Sequence, residues 1–217
     1  LPSLAGFDEV VIHDTGSSDR TIEVAGGLGA AIFSTEPIVP FHFAEARNRA
    51  LDRCTGDWVV SVDADEAMEP GSVQAIRDAC ARAEATGANG IRIWFVFDPG
   101  KSEYLRFVVW KRGAWRWKNR VHNELDPVDP PVIVDAPNAR LVHFEPADKR
   151  RPWRAEQTFE LLKISASEDG GHVRALRHLA QEHILRKQPE PAVRLLKRYI
   201  ASTHEPDIER FHALLSM

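Results

Sequence analysis

Over its first two-thirds the chain alternates short apolar runs with amphipathic stretches. Val10–Ile12 and Trp58–Val62 are dominated by β-formers, nearly free of charge and too short for helices, so both read as strands. Trp58–Val62 has the composition of a strand buried on both faces of a parallel sheet. Phe43 to Arg53 and Gly71 to Thr86 repeat apolar residues at helical spacing, and in the latter Val73, Ile76, Cys80 and Ala83 share a face that Gly87 terminates. A weaker helix is predicted from Ser18 to Leu28, interrupted by Gly26 and Gly27, with Ser17 or Ser18 as its cap and a short strand at Ala30–Ser34 behind it. From Gly90 to Trp117 the text is strand-rich, with a turn at Gly113. Asp126–Pro131 is a proline-laden loop, and VIVDA and ARLVHF are further strands. This alternation predicts an α/β domain.

The pattern changes after Glu145. PADKRRPWR is a basic linker, and the remainder is helical, dividing the chain into a domain over residues 1–150 and a tail over 151–217. Aligning Ala192 with the small position of a tetratricopeptide repeat puts Leu176, Leu179 and Ala180 on the first helix. Leu196 falls on the second, with QPEP as the turn; Tyr199 departs, since a small residue is usual there. One such repeat cannot bury its own face. The helices are therefore expected to pack on the preceding domain or to belong to a longer array.

Composition narrows the class. At 217 residues and 43% hydrophobic, the chain can bury a full core, and its net charge of −4 lacks the basic surplus of a nucleic-acid binder. Cys54 and Cys80 fall on predicted helix faces among apolar neighbours, which favours buried thiols over a disulfide and fits a reducing compartment. No apolar run approaches the roughly 18 residues of a membrane span, and no signal-peptide pattern is evident, so a cytoplasmic protein is expected.

The chemistry concentrates at predicted strand ends. Asp63, Asp65 and Glu66 arrive where strand 58–62 stops, and ligands of open α/β sheets sit at the carboxyl ends of strands. Carboxylates clustered there repel unless a cation holds them, which points to a divalent metal, although a solvated acidic turn has the same spelling. Asp14 ends the earlier strand in the same way, and the Gly-Ser-Ser turn after it offers backbone N–H groups that, with Ser17 and the acid, suit a nucleotide. At about 100° per residue, Arg47 falls within the apolar stripe of its helix. A guanidinium there needs an anion, either Asp63 or Asp14 or the nucleotide itself. His122 and Glu124 lie two apart in RVHNEL, on one side of an extended segment. Trp115 and Trp117 share a strand face, for which cross-strand aromatic pairing is the commoner explanation and stacking on a ligand ring the alternative.

Taken in order, HDTGSSDRT, FAEARNRAL, VDADE, RFVVWKRGAWRWKNRVHNEL and ARLVHFEP resemble the signatures of glycosyltransferase family 2 over roughly residues 8 to 165. The resemblance implies a GT-A α/β fold, a mixed sheet with flanking helices, plus a small all-α C-terminal segment of tetratricopeptide type. It also implies a nucleoside-diphosphate sugar as donor, a UDP-sugar first among them, and inversion at the anomeric carbon. The acceptor would be a glycan, a lipid-linked group or a protein. By the same likeness Asp14, Ser17, Arg47 and Asp63 bind the donor. Asp65 and His143 hold Mn²⁺ or Mg²⁺, a mixed O/N site suited to either ion. Glu124 is the favoured base and His122 its rival, because Asn123 separates a His-Glu pair that is adjacent in the family.

The opening strand of that family is missing ahead of LPSLAGF, so either the chain is a fragment or its start lies upstream. This gap supports an alternative reading, a degenerate transferase domain serving as an interaction module for its helical tail. The intact acidic loop, Arg47 and His143 argue against it.

Overall fold

A computed structural model describes residues 1–97, 102–144, 152–168 and 173–202. Their contacts divide the chain into two compact units. The first comprises residues 1–38, 46–117 and 125–149, and the second 39–45, 118–124 and 150–217.

In the first unit, β1 (Val11–Asp14) and β2 (Ala31–Ser34) form a parallel pair flanked by helix α1 (Thr21–Gly27). The helix starts later than its spacing predicts. Its N-cap is Arg20 and makes no side-chain capping bond; Asp19 instead accepts the N–H of Thr21 at 2.9 Å, so neither serine caps it.

The main sheet has five strands. They are β3 (Trp58–Val60), β4 (Glu66–Met68), β5 (Gly90–Phe97), β6 (Ser102–Lys111) and β9 (Ile133–His143), in the order β3-β6-β5-β9-β4. The β5–β9 pairing is parallel and the other pairings in this sheet are antiparallel. The expectation for residues 58–62 is therefore corrected: β3 is an antiparallel edge strand of intermediate burial, and it stops at Val60. A short apolar run does not distinguish an interior strand from an edge strand covered on one side.

Helix α3 (Ser72–Thr86) lays Ile76, Ala79 and Ala83 against Ile91, Ile93, Phe95, Val109 and Leu141, the centre of the core. It ends at Gly87, whose φ of 71° lies in the left-handed region that glycine adopts freely. Gly90 has a different reason. A Cβ there would stand 2.7 Å from Phe107 Cε2 and 3.2 Å from Ile133 Cγ1, so the sheet closes over it only without a side chain.

Helix α2 (Phe43–Leu51) leads towards β3, and β7 (Trp115–Lys118) pairs with β8 (Glu124–Pro127) as a two-stranded ribbon. Leu51, Trp110, Ala114 and Trp115 make a second apolar cluster, with Trp117 and Leu125 at its margin. Cys54 and Cys80 are free thiols, half-buried rather than enclosed, and burial raises both, Cys80 to about 11.

The second unit is helical. Helices α4 (Pro152–Ser167), α5 (Val173–Leu185) and α6 (Pro189–Ser202) bury Phe159, Leu162, Leu176, Leu179, Ala180, Leu196 and Tyr199 among themselves. Tyr199 is fully buried, so the large residue at a normally small position is absorbed by the packing of this bundle. Phe41 and Val121, from the two short segments belonging to this unit, join the same core. The basic linker falls largely on residues 145–151, outside the described residues. No helix among the described residues is long and apolar enough to cross a membrane.

Candidate functional site

The acidic loop is organised by its own backbone. Glu66 N–H donates to the carbonyl of Asp63 at 3.0 Å, and Asp63 N–H donates back to Glu66 Oε2 at 2.8 Å. Glu66 Oε1 accepts from Arg106 Nη1 at 2.6 Å, and the Glu66 side chain is only 2% exposed. Arg106 in turn lies over the ring of Phe95, 4.5 Å from its centroid. Glu66 is thus a structural clasp and not one of three open acids. A buried carboxylate is stable only with such partners.

The clasp leaves Asp65 outward, 44% exposed. Because β4 pairs with β9 in the register Glu66 to His143, the residue before Glu66 is brought beside His143, and Phe144 N–H donates to the Asp65 carbonyl at 2.8 Å. His143 Nε2 stands 3.4 Å from Asp65 Oδ2. The imidazole is stacked on Phe97 at 4.9 Å, which sets the plane of the ring. His143 Nδ1 is buried with no hydrogen-bond partner among the described residues.

Two ligands at adjacent corners of an octahedral ion with bonds of about 2.1 Å stand about 3 Å apart, so this separation suits a shared cation as well as a long polar contact. One carboxylate and one imidazole fit Mn²⁺ or Mg²⁺ in donor type. No group of three or more His, Cys, Asp or Glu converges among the described residues.

Arg47 meets the first acid of the loop. Its Nη2 donates to Asp63 Oδ1 at 2.6 Å and its Nη1 to Ser61 Oγ at 3.1 Å, while the guanidinium lies 4.8 Å from the ring centroid of Trp117. Of the two acids open to it from sequence, Asp63 is the partner found. Trp117 is fixed in place by Asn48, which accepts its N–H at 3.0 Å and donates to its carbonyl at 2.8 Å. Trp115 faces the apolar cluster instead, and its indole N–H donates to the Asn89 carbonyl at 3.0 Å.

Asp14 is buried at the end of β1 and accepts the backbone N–H groups of Gly16 and Ser17 at 3.1 and 3.2 Å. The Ser17 hydroxyl first, then these backbone groups, hold its carboxyl below the ordinary range. It is therefore a fixed carboxylate at the head of the turn.

His122 and Glu124 belong to the helical unit, and their segment is not extended. His122 has a φ of 48° and Asn119 one of 76°, both in the left-handed region that non-glycine residues seldom occupy. The same-side argument from two-residue spacing therefore fails. The His122 ring stacks on His178 of α5, centroids 3.7 Å apart and planes 15° off parallel. Glu124 Oε2 accepts from Arg174 of α5, and Oε1 accepts from Asn119 Nδ2 at 3.3 Å with Lys118 Nζ at 3.8 Å. Desolvation, with Arg177 and Arg174 nearby, lowers the pKa of His122. His178 is pushed down to about 4 by desolvation and by His122. Sequence reasoning passed over Arg174 and His178, because nothing local to α5 shows which loop meets it.

The sequence model of glycosyltransferase family 2 matches residues 4–151, more than half of the chain. The protein belongs to glycosyltransferase family 2. Its fold is similar to that of TarS of S. aureus. Against a crystal structure of residues 1–349 the TM-score is 0.53 at 13% identity, covering 88% of this chain and 70% of that one. Against a longer TarS structure the TM-score is 0.56 at 13% identity, covering 96% and 47%. A TPR repeat-containing protein of Synechococcus elongatus is 43% identical over 61 residues, which is 28% of this chain and 15% of that relative. The chain thus spans a small part of that relative's length.

Proposed function

We propose that this family 2 domain transfers a sugar from a nucleoside-diphosphate sugar, a UDP-sugar first among them, to an acceptor hydroxyl, with inversion and with a divalent cation. The observation that carries the reading is the approach of Asp65 to His143 at 3.4 Å, two residues distant in sequence whose side chains differ in kind but suit one ion. Asp65 Oδ2 and His143 Nε2 would hold Mn²⁺ or Mg²⁺, and the ion would neutralise charge on a departing diphosphate.

The remaining chemistry belongs to side chains. Arg47 presents a planar fork of donors, already engaged by Asp63, that can turn to an anionic ligand. Trp117 holds the guanidinium plane from its face. Asp14, ionised and rigid, is suited to accept hydrogen bonds from a ribose or base. Glu124 or His122 would remove the acceptor proton as the hydroxyl attacks opposite the leaving group.

The test is calorimetric titration with UDP in the presence and absence of Mn²⁺, followed by a screen of nucleotide-sugar hydrolysis with Mn²⁺. UDP binding strengthened by the ion, with release of sugar from at least one donor, is the expected result. An interaction module would show neither.

A further inference from the structure

We propose that helix α5 is a working part of the acceptor side of the enzyme, with Arg174 and His178 as positioning residues for Glu124 and His122. The inference rests on the transferase reading above. Four observations within the helical unit converge on it.

First, the segment 118–124 is built into the helices. Val121 is buried with Phe159, Leu162, Leu176 and Leu179, and Arg120 donates to Glu168 and to the carbonyls of Pro40 and Phe41, at 2.8 and 2.9 Å. Second, the backbone of this segment is held in the left-handed region at Asn119 and at His122. That conformation persists only where the surroundings over-determine it, and it recurs where function needs a fixed geometry.

Third, both base candidates end on α5, one turn apart. Arg174 donates to Glu124 Oε2, a charge-assisted bond that fixes the carboxylate in rotation. His178 lies flat against His122 at 3.7 Å. Two protonated rings at that distance would repel, so the pair holds at most one proton, and Arg174 and Arg177 disfavour even that one. An imidazole kept neutral can accept a proton. Fourth, Asn123 Nδ2, between the two candidates, is shielded from solvent and makes no hydrogen bond among the described residues. A shielded amide donor beside a base candidate calls for an oxygen partner that the described residues do not supply.

α5 therefore does two things at once. It orients the proton acceptor, and it keeps the neighbouring imidazole in its basic form. The charged and titratable groups that face His122 are His178, Arg174, Arg177 and Glu182 of α5 and, two residues on in its own segment, Glu124.

The experiment uses the full chain with Mn²⁺ and UDP-glucose or UDP-N-acetylglucosamine, following sugar release, and compares Arg174→Met, Arg174→Lys and His178→Phe with Glu160→Ala. The last breaks an ion pair between neighbouring turns of α4, Glu160 to Lys163 at 2.6 Å. Arg174→Met should lower kcat by about tenfold or more, a share of the 10²- to 10⁴-fold that a general base contributes, with the donor KM nearly unchanged. Arg174→Lys should recover part of it, and Glu160→Ala should leave kcat alone. Arg174→Met, which removes a cation that lowers the His122 pKa, should also move the acid limb of the pH profile upward, and NMR of the His122 ring should show the same direction; His178→Phe, which keeps a ring against His122, should leave that titration nearly in place. A wild-type rate and an unmoved His122 titration in Arg174→Met would overturn the proposal. Absence of turnover by the wild-type chain with every donor is a different result. It removes the transferase reading, and with it the catalytic role of α5.

Discussion

Arg47 and Asp63 meet end to end, Nη2 to Oδ1 at 2.6 Å, with Ser61 on the second nitrogen and the face of Trp117 along the guanidinium plane. Both side chains remain about one-third exposed, so the pair is no sealed interior bridge. A pair of that exposure contributes little to stability by itself. It keeps a planar donor fork aimed at the acidic loop.

Arg47→Lys separates the two roles. An ammonium preserves the charge but not the fork or the stacking on Trp117. Losing one hydrogen bond to a charged group costs about 1.5 kcal/mol or more, so UDP affinity should fall about tenfold. Binding and melting are measured on the same preparation. A lowered melting temperature with unchanged affinity would reduce Arg47 to a structural ion pair.

Asp65 and His143 should fail together. Asp65→Ala and His143→Ala should each weaken Mn²⁺-dependent UDP binding by about 10- to 100-fold or more, the scale on which even outer partners of a metal matter. Metal-independent binding should stay where it was, and so should the fold, since the loop geometry rests on Glu66 and not on Asp65. Titration of each variant with and without Mn²⁺ decides it.

Glu66 is expected to be a stability residue. Arg106→Met leaves its buried carboxylate without its cation, and removing one partner of a buried pair costs about 3–5 kcal/mol; partial exposure of Arg106 puts this case near the lower end. Glu66→Gln should cost less, because the amide oxygen can still accept the Asp63 N–H. Urea denaturation at neutral pH ranks the two, and the reverse order would sink the clasp.

The contrast between Glu66 and Asp65 shows where sequence stops being informative. Both belong to one acidic motif, and the motif suggests three open acids. Which acid turns inward depends on Arg106, forty residues away, and on the pairing of β4 with the end of β9. No local period reports either. The helices were legible because their apolar stripes recur within a few residues: Ile76 and Ala83, or Leu176, Leu179 and Ala180, bury the faces that their spacing indicates. The strand at 58–60 was legible as a strand but not as an edge, since apolarity records burial and not neighbours. His122 defeated the period-2 rule because its φ of 48° interrupts the extended backbone on which that rule depends. The likeness to family 2 was what linked Asp65 with His143. Nothing in their local sequence does so.

The helical unit should weaken in mild acid. The pKa of His178 in the fold, about 4, lies below its ordinary 6.5, so the folded state prefers the neutral ring. The unfolded chain then binds more protons between those values, and stability rises with pH across them. Its contribution is complete above about pH 6.5 and is lost as pH falls towards about 4, with His122 adding in the same direction. His178→Phe keeps a ring against His122 and removes the titration. Thermal melts across this range should show a flatter pH dependence in the variant, and an equal slope in both proteins would show that the stack is not the cause.

The assignment of the base is the sharpest test of the acceptor side. A hydroxyl becomes a competent nucleophile when a proton acceptor lies within about 3 Å of it. Glu124 is a carboxylate held on both oxygens, by Arg174 on one and by Asn119 with Lys118 on the other. Glu124→Gln preserves shape and most of those contacts but cannot take the proton. It should bind UDP and Mn²⁺ as the parent does and lose about 10²- to 10⁴-fold in transfer. His122→Gln should cost less, because it removes a neighbour and leaves the carboxylate in place. The reverse ranking, with Glu124→Gln near the parental rate and His122→Gln inactive, would move the role to the imidazole. Desolvation and the nearby Arg177 and Arg174 already favour its neutral, proton-accepting form.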